Sequence, residues 1–174
     1  MNSDETRTLI VGMGITGNNL YQELQSLNPD IYDIDKDKLP LNWERRYTEY
    51  GFIFICVDTP YRDKDNPCDI SAVKEAVETW EDCLAFDGIF VIKSTLLPWQ
   101  IDKFIEKYDN TRIVYSPEYY GNTQHCNNFK FDFTILGGGK YKSACYRVQQ
   151  LLQLVHDARH TFRIVDVVIC FQIL

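Results

Sequence analysis

The sequence has no excess of basic residues, no paired-cysteine pattern and no long apolar run. Lys and Arg number 18 against 25 Asp and Glu, for a formal charge of −7 and a pI near 4.9. Such a balance excludes a protein that neutralises many phosphates of DNA or RNA through clustered cations. An anionic ligand must be held locally instead. The longest apolar stretch, Val167 to Leu174, is interrupted by Gln172 and falls short of the roughly 20 residues that span a bilayer, so no membrane association is expected. Cys56, Cys68, Cys83, Cys126, Cys145 and Cys170 stand singly, with no C-x-x-C pair and no paired His spacing. Reduced thiols are therefore expected, and neither a disulfide scaffold nor a metal site. The opening MNSDETRT is polar and acidic where a signal peptide is basic and then apolar, so the expected location is cytoplasmic.

What is present fits a single globular domain. A chain of 174 residues can bury about 70% of the surface its unfolded form exposes. Its 45% hydrophobic, 14% aromatic and 25% charged residues lie outside the disordered and low-complexity classes. Short apolar runs alternate with amphipathic stretches, the pattern of a parallel sheet covered on both faces. Strands are expected at Thr8 to Val11, Ile31 to Asp33, Phe52 to Val57, Ile89 to Lys93, Arg112 to Tyr115, Phe133 to Leu136 and Phe162 to Val165. The unbroken hydrophobicity of FIFICV and GIFVIK suits strands buried on both sides. Helical stripes run through Leu20, Leu24 and Leu27; Val73, Val77, Trp80 and Leu84; Ile101, Phe104, Ile105 and Tyr108; and Val148, Leu151, Leu152 and Val155. These positions are read as core. Tyr61 to Pro67 and Tyr119 to Asn128 are read as long polar loops.

The first apolar run leads into GMGITG, which sets Gly12, Gly14 and Gly17 in the G-x-G-x-x-G spacing. In a dinucleotide-binding turn the first glycine allows the tight bend, the second admits the pyrophosphate, and the third lets helix pack on strand. The helix then presents unpaired N–H groups and a partial positive charge to the phosphates, so an acidic protein can still hold an anion. A second apolar run ends at Asp33, about 20 residues on, where a carboxylate accepts hydrogen bonds from ribose hydroxyls. An acid there repels a 2′-phosphate and favours NAD over NADP. Lys38 is read either as a neighbour of that ribose or as a solvated lysine. The fold class is therefore α/β, a Rossmann-type doubly wound, mainly parallel sheet in a single domain, with residues 1–166 as the NAD-binding unit and 167–174 as an apolar tail. Two look-alikes fail. In the run Gly137-Gly138-Gly139-Lys140 the first glycine of a phosphate loop falls on Thr134, and Tyr141 stands where Ser or Thr is needed. Tyr32 and Lys36 have a Y-x-x-x-K spacing but follow the second strand, away from any nicotinamide.

Three further segments end or follow strands on the ligand side of such a sheet: Val57-Asp58-Thr59-Pro60, Lys93-Ser94-Thr95 with Pro98 behind it, and Ser116-Pro117-Glu118. Singly, each also reads as a turn or a helix cap. In this order after GMGITG and DID, they resemble the N-terminal domain of the UDP-glucose/GDP-mannose dehydrogenases over about Thr8 to Asp166. The resemblance implies an NAD-binding domain. It also implies a parent activity that oxidises the C6 alcohol of a nucleotide sugar, such as UDP-glucose, to a carboxylate by two hydride transfers, a cysteine capturing the intermediate. Gly12, Met13, Gly14, Ile15, Thr16, Gly17, Asp33 and Lys38 fall on family positions at the adenosine and pyrophosphate. Val57, Thr59, Pro60, Ser94 and Thr95 fall near the nicotinamide half. Glu118 matches the acid/base glutamate, and Thr95 a threonine that orders water or an oxyanion.

Departures from that pattern are specific. Asn122 stands where a second glutamate is usual, and Trp99 and Gln100 replace a small Gly-Thr turn. The span from Asp33 to Phe52 is short, so a helix and strand are expected to shrink to a stub around Asn42 to Glu49. None of the six cysteines has the glycine-flanked context of the family nucleophile. Family members are more than twice as long, and VVICFQIL stands where their connecting helix begins, as if the frame were cut. The expectation is an NAD-binding half that needs a complementing chain for catalysis, or alternatively a stand-alone NAD-binding module or an inactive remnant. Oligomerisation is left open.

Overall fold

The computed structural model describes residues 6–41, 43–44, 49–65, 67–107, 112–117, 133–139 and 142–166. Seven strands, β1 (Thr8–Val11), β2 (Asp30–Tyr32), β3 (Tyr50–Ile55), β4 (Leu84–Ile92), β5 (Ile113–Tyr115), β6 (Phe133–Gly138) and β7 (Thr161–Asp166), form one sheet in the order β2-β1-β3-β4-β5-β6-β7. The first five in that order are mutually parallel. The β6 strand runs against β5, and β7 runs with β6. Four helices, α1 (Ile15–Glu23), α2 (Ser71–Trp80), α3 (Pro98–Lys107) and α4 (Ser143–Leu152), cover the two faces. Every residue of β3 is buried. Alternation of side chains sends Ile53 and Ile55 into the core beneath α2 and α3, and Phe52 and Phe54 into the core beneath α1 and α4. The seven expected strands and the doubly wound layering are thus the observed ones.

Topology places the site. The chain leaves β1 for β2 on one side, then returns to β3 on the other side of β1, so connections part at the carboxyl ends of β1 and β3. That switch point is where open α/β sheets bind ligands.

Several boundaries differ from the sequence expectation. The first stripe does not make one long helix: α1 stops at Glu23, Leu27 lies in a short 3-10 turn, and Asn28 closes it in the left-handed region at φ 51°. Leu84 begins β4 rather than ending the α2 stripe, because a 3-10 turn at Glu81–Cys83 intervenes and Leu84 pairs with Tyr50. Val155 lies past the end of α4. The β4 strand also starts earlier than its apolar run, with a register break between the pairs Tyr50↔Leu84 and Phe52↔Ile89. Arg112 holds the resulting excursion by donating to the carbonyls of Ala85 (3.1 Å) and Gly88 (3.4 Å), and Arg147 pairs with Asp87 at 3.3 Å.

At the β2 edge, the Trp43 indole N–H donates to the Ile31 carbonyl at 2.6 Å. The Tyr32 ring lies 5.4 Å from Trp43 and 5.1 Å from Trp80. Most of the expected stub, together with Tyr108, Glu118, Asn122, Cys126, the 119–128 loop and the 167–174 tail, lies outside the described residues. Among the described residues, no helix is long and apolar enough to cross a membrane, and no group of three or more His, Cys, Asp or Glu is placed to hold a metal ion. Cys56, Cys68, Cys83 and Cys145 are buried and are not joined in disulfides.

Candidate functional site

The glycine turn is shaped by backbone crowding. Gly12 donates its N–H to the Tyr32 carbonyl at 2.8 Å and has φ +95°, and a Cβ there would lie 2.7 Å from the Cys56 carbonyl oxygen. At Gly17 a Cβ would fall 1.8 Å from the Gly12 carbonyl oxygen, so α1 rests directly on the turn. Gly14 is different, with nothing within 4 Å of the place a Cβ would take. As N-cap it offers no side-chain oxygen to the first-turn amides, and no acid stands in that turn. The helix's positive end is thereby left available beside a residue that lines the crevice. Asn18 pins the bend by donating from Nδ2 to the carbonyls of Met13 (2.7 Å) and Gly14 (2.9 Å).

Asp33 is buried at 7% exposure, yet it lines a crevice of about 300 Å³. Its Oδ2 accepts from the Met13 N–H at 2.6 Å, and its Oδ1 from the Asp35 N–H at 2.8 Å. These bonds fix the carboxylate at the tip of β2. Asp35 caps the following 3-10 turn through the Asp37 N–H, and the turn returns Lys38 Nζ to 3.5 Å from Asp33 Oδ2. The opposite wall comes from α2, where Ala72, Glu75, Ala76 and Thr79 line the crevice with Trp80. A buried carboxylate beside a helix start, with open space at Gly14, fits an adenosine ribose and pyrophosphate.

Beyond Val57, which also lines the crevice, the second end is built from side-chain contacts. Ser94 is buried and its Oγ donates to the Val57 carbonyl at 2.7 Å, tying the ends of β3 and β4 together. Tyr115 Oη accepts from the Leu96 N–H at 3.2 Å and donates to the Leu96 carbonyl at 3.4 Å. Thr95, between these anchors, is exposed. Lys93 Nζ lies 3.4 Å from Ser116 Oγ, both residues buried. Pro117, which precedes Glu118, is buried as well.

Of the candidates read from sequence, Gly12, Gly14, Asp33, Lys38 and Val57 come together around the crevice. Met13 contributes its amide, while its side chain belongs to the core under α1 and α4. Ile15 is half exposed, Thr16 is partly exposed on the first turn of α1, and Gly17 acts by packing. Thr59, Pro60, Ser94 and Thr95 stand outside the crevice wall. Sequence reasoning missed the α2 wall, Asn18, Tyr115 and Gln100. The wall positions do follow one helical face beside the core stripe. Burial pushes the Cys145 thiol up to about 11.

The description "UDP-glucose/GDP-mannose dehydrogenase family, NAD binding domain" matches residues 33–156, well over half of the chain. The match starts at Asp33, so the glycine turn rests on the geometry above. No curated protein sequence matches the chain. Among solved structures, the ternary complex of GDP-mannose dehydrogenase from Pseudomonas aeruginosa aligns with a TM-score of 0.71 at 15% identity, over 96% of this chain and 48% of that one. UDP-N-acetyl-mannosamine dehydrogenase Cap5O from Staphylococcus aureus aligns at 0.72 and 18% identity, over 92% and 47%. Mycobacterium tuberculosis 3-hydroxyisobutyrate dehydrogenase aligns at 0.64 and 11% identity, over 92% and 53%. The chain spans about half the length of these structures. Identities this low carry the fold alone; the family match over Asp33 to His156, laid on that fold, shows that the chain belongs to the UDP-glucose/GDP-mannose dehydrogenase family through its NAD-binding domain, whose cofactor is NAD.

Proposed function

We propose that the chain is the NAD-binding half of a nucleotide-sugar 6-dehydrogenase. In this reading residues 1–166 form the cofactor unit and 167–174 a tail. The sugar-nucleotide pocket and the nucleophilic cysteine would come from residues outside this sequence. The observation that carries the reading is the buried Asp33 carboxylate, tied to the Met13 amide at the switch point. NAD, when bound, supplies the hydride acceptor. The first-turn amides of α1 would hold the pyrophosphate, Asp33 would accept from the adenosine ribose hydroxyls with Lys38 beside it, and α2 would wall the adenine side. Val57, Thr59, Pro60 and Ser94 would shape the nicotinamide half, Ser94 by fixing the Val57 carbonyl rather than by touching the ring. Thr95 would present its hydroxyl to the reacting water or oxyanion. Glu118, directly after the buried Ser116-Pro117, would act as acid/base.

Calorimetric titration tests this reading. Wild-type chain is expected to bind NAD, and Asp33→Ala to bind it roughly 10- to 100-fold more weakly, since hydrogen bonds to a charged group contribute about 1.5–3 kcal/mol each. Absence of NAD binding by the wild type overturns the reading. NADH formation from UDP-glucose by residues 1–174 alone would overturn the view that these residues do not suffice for turnover.

A further inference from the structure

Gln100 lies in the first turn of α3, and its side chain makes two bonds at once. Oε1 accepts from the Leu97 N–H at 2.9 Å, and Nε2 donates to the Cys68 carbonyl at 2.8 Å. The first bond caps α3, because Leu97 directly precedes Pro98 and a Gln three residues after a cap reaches back to the cap amide. The second serves no helix. It crosses to the segment before α2, where Cys68 is buried and its Sγ lies 3.4 Å from the Thr95 carbonyl. Cys68 therefore holds the Thr95 loop twice, by its carbonyl through Gln100 and by its thiol directly. Tyr115 anchors the same loop at Leu96 from the other side. With Ser94 bonded to Val57 as well, Thr95 is left as the exposed residue in a loop fixed on three sides.

The geometry points to Gln100 as a positioning residue: its bond to the Cys68 carbonyl braces the Thr95 loop at the nicotinamide end of the cofactor site. The inference rests on the NAD reading above for its functional part. Gln100 touches neither the glycine turn nor Asp33, so its effect must be confined to one end of the dinucleotide.

The diagnostic variant is Gln100→Glu. A glutamate retains the acceptor for Leu97 N–H and so keeps the helix cap, but it has no donor for the Cys68 carbonyl. In the full chain, Gln100→Glu is expected to bind NAD about 5- to 10-fold more weakly while holding ADP-ribose, which lacks the nicotinamide, within twofold of wild type. Amide hydrogen exchange is expected to quicken at Thr95 and Leu96 and stay unchanged at Leu97 and within α3. Gln100→Ala, which loses the cap too, should quicken exchange in α3 as well. Equal weakening toward NAD and ADP-ribose, or wild-type exchange at Thr95 and Leu96 in folded Gln100→Glu, overturns the brace. The exchange measurement needs no cofactor, so failure of wild-type NAD binding would be seen separately from failure of the brace.

Discussion

The two ends of the candidate cofactor site are held by different means. At the glycine-turn end the scaffold is mainly backbone: Gly17 packs on the Gly12 carbonyl and Gly12 bonds to the Tyr32 carbonyl, with the Asp33 carboxylate accepting from the Met13 amide. At the other end the loop after β4 is held by side chains of Ser94, Tyr115, Gln100 and Cys68. A backbone scaffold tolerates almost no change of residue at its crowded points. A side-chain scaffold can lose one strut and keep the rest. The first end is therefore coupled to folding, and the second is adjustable.

Three substitutions sharpen that contrast, beginning with the largest expected effect. Gly17→Ala puts a methyl 1.8 Å from a backbone oxygen, which only movement of α1 or of the turn can relieve. A loss of about 3 kcal/mol in chemical denaturation is expected, together with loss of NAD binding. Near wild-type stability would show that the turn is looser than described. Tyr115→Phe removes the hydroxyl that serves the buried Leu96 N–H and should cost about 1–2 kcal/mol. Its ADP-ribose affinity should remain that of wild type, because the struts lie at the other end. A matching loss for ADP-ribose would erase the distinction between the two ends. The smallest effect belongs to Asp69, at the segment that leads into α2. Hydrogen bonds from the Ser71 hydroxyl and amide, then from Arg62, hold its carboxyl down from 3.8 to about 2. A carboxyl with a lowered folded value stabilises above its unfolded value, and that contribution is lost as pH falls through the folded one. The melting temperature of wild type should thus exceed that of Asp69→Asn slightly at pH 5, with the gap closing between pH 4 and pH 2. A gap independent of pH would place the effect elsewhere.

The geometry of the glycine turn was largely legible in the sequence, and that of the loop after β4 was not, for reasons that follow from the same contrast. Glycines at fixed spacing and an acid at a strand's end are forced by backbone geometry, so Gly12, Gly14 and Asp33 announce themselves. The α2 wall uses Ala72, Ala76 and Thr79, residues with no chemistry that marks a site. Tyr115 reads as one more apolar residue in a strand, although its hydroxyl is what matters. Gln100 reads as a departure from a family pattern until its two partners, 32 residues apart at Cys68 and three apart at Leu97, are seen together. The strands β1, β3 and β5 were legible because each is a short, fully buried apolar run. The excursion at Ala85–Gly88 was not, since its register depends on Arg112 and Arg147 from distant segments.

The tryptophan at the rim of the sheet has a consequence for how copies of the protein behave in a crowded solution. Alternation along β2 turns the Tyr32 carbonyl toward β1 and the Ile31 carbonyl outward, where the Trp43 indole N–H occupies it. An outermost strand with its exposed acceptor already taken is a poor template for a neighbour's strand, so a three-residue edge and one indole together discourage edge-to-edge aggregation.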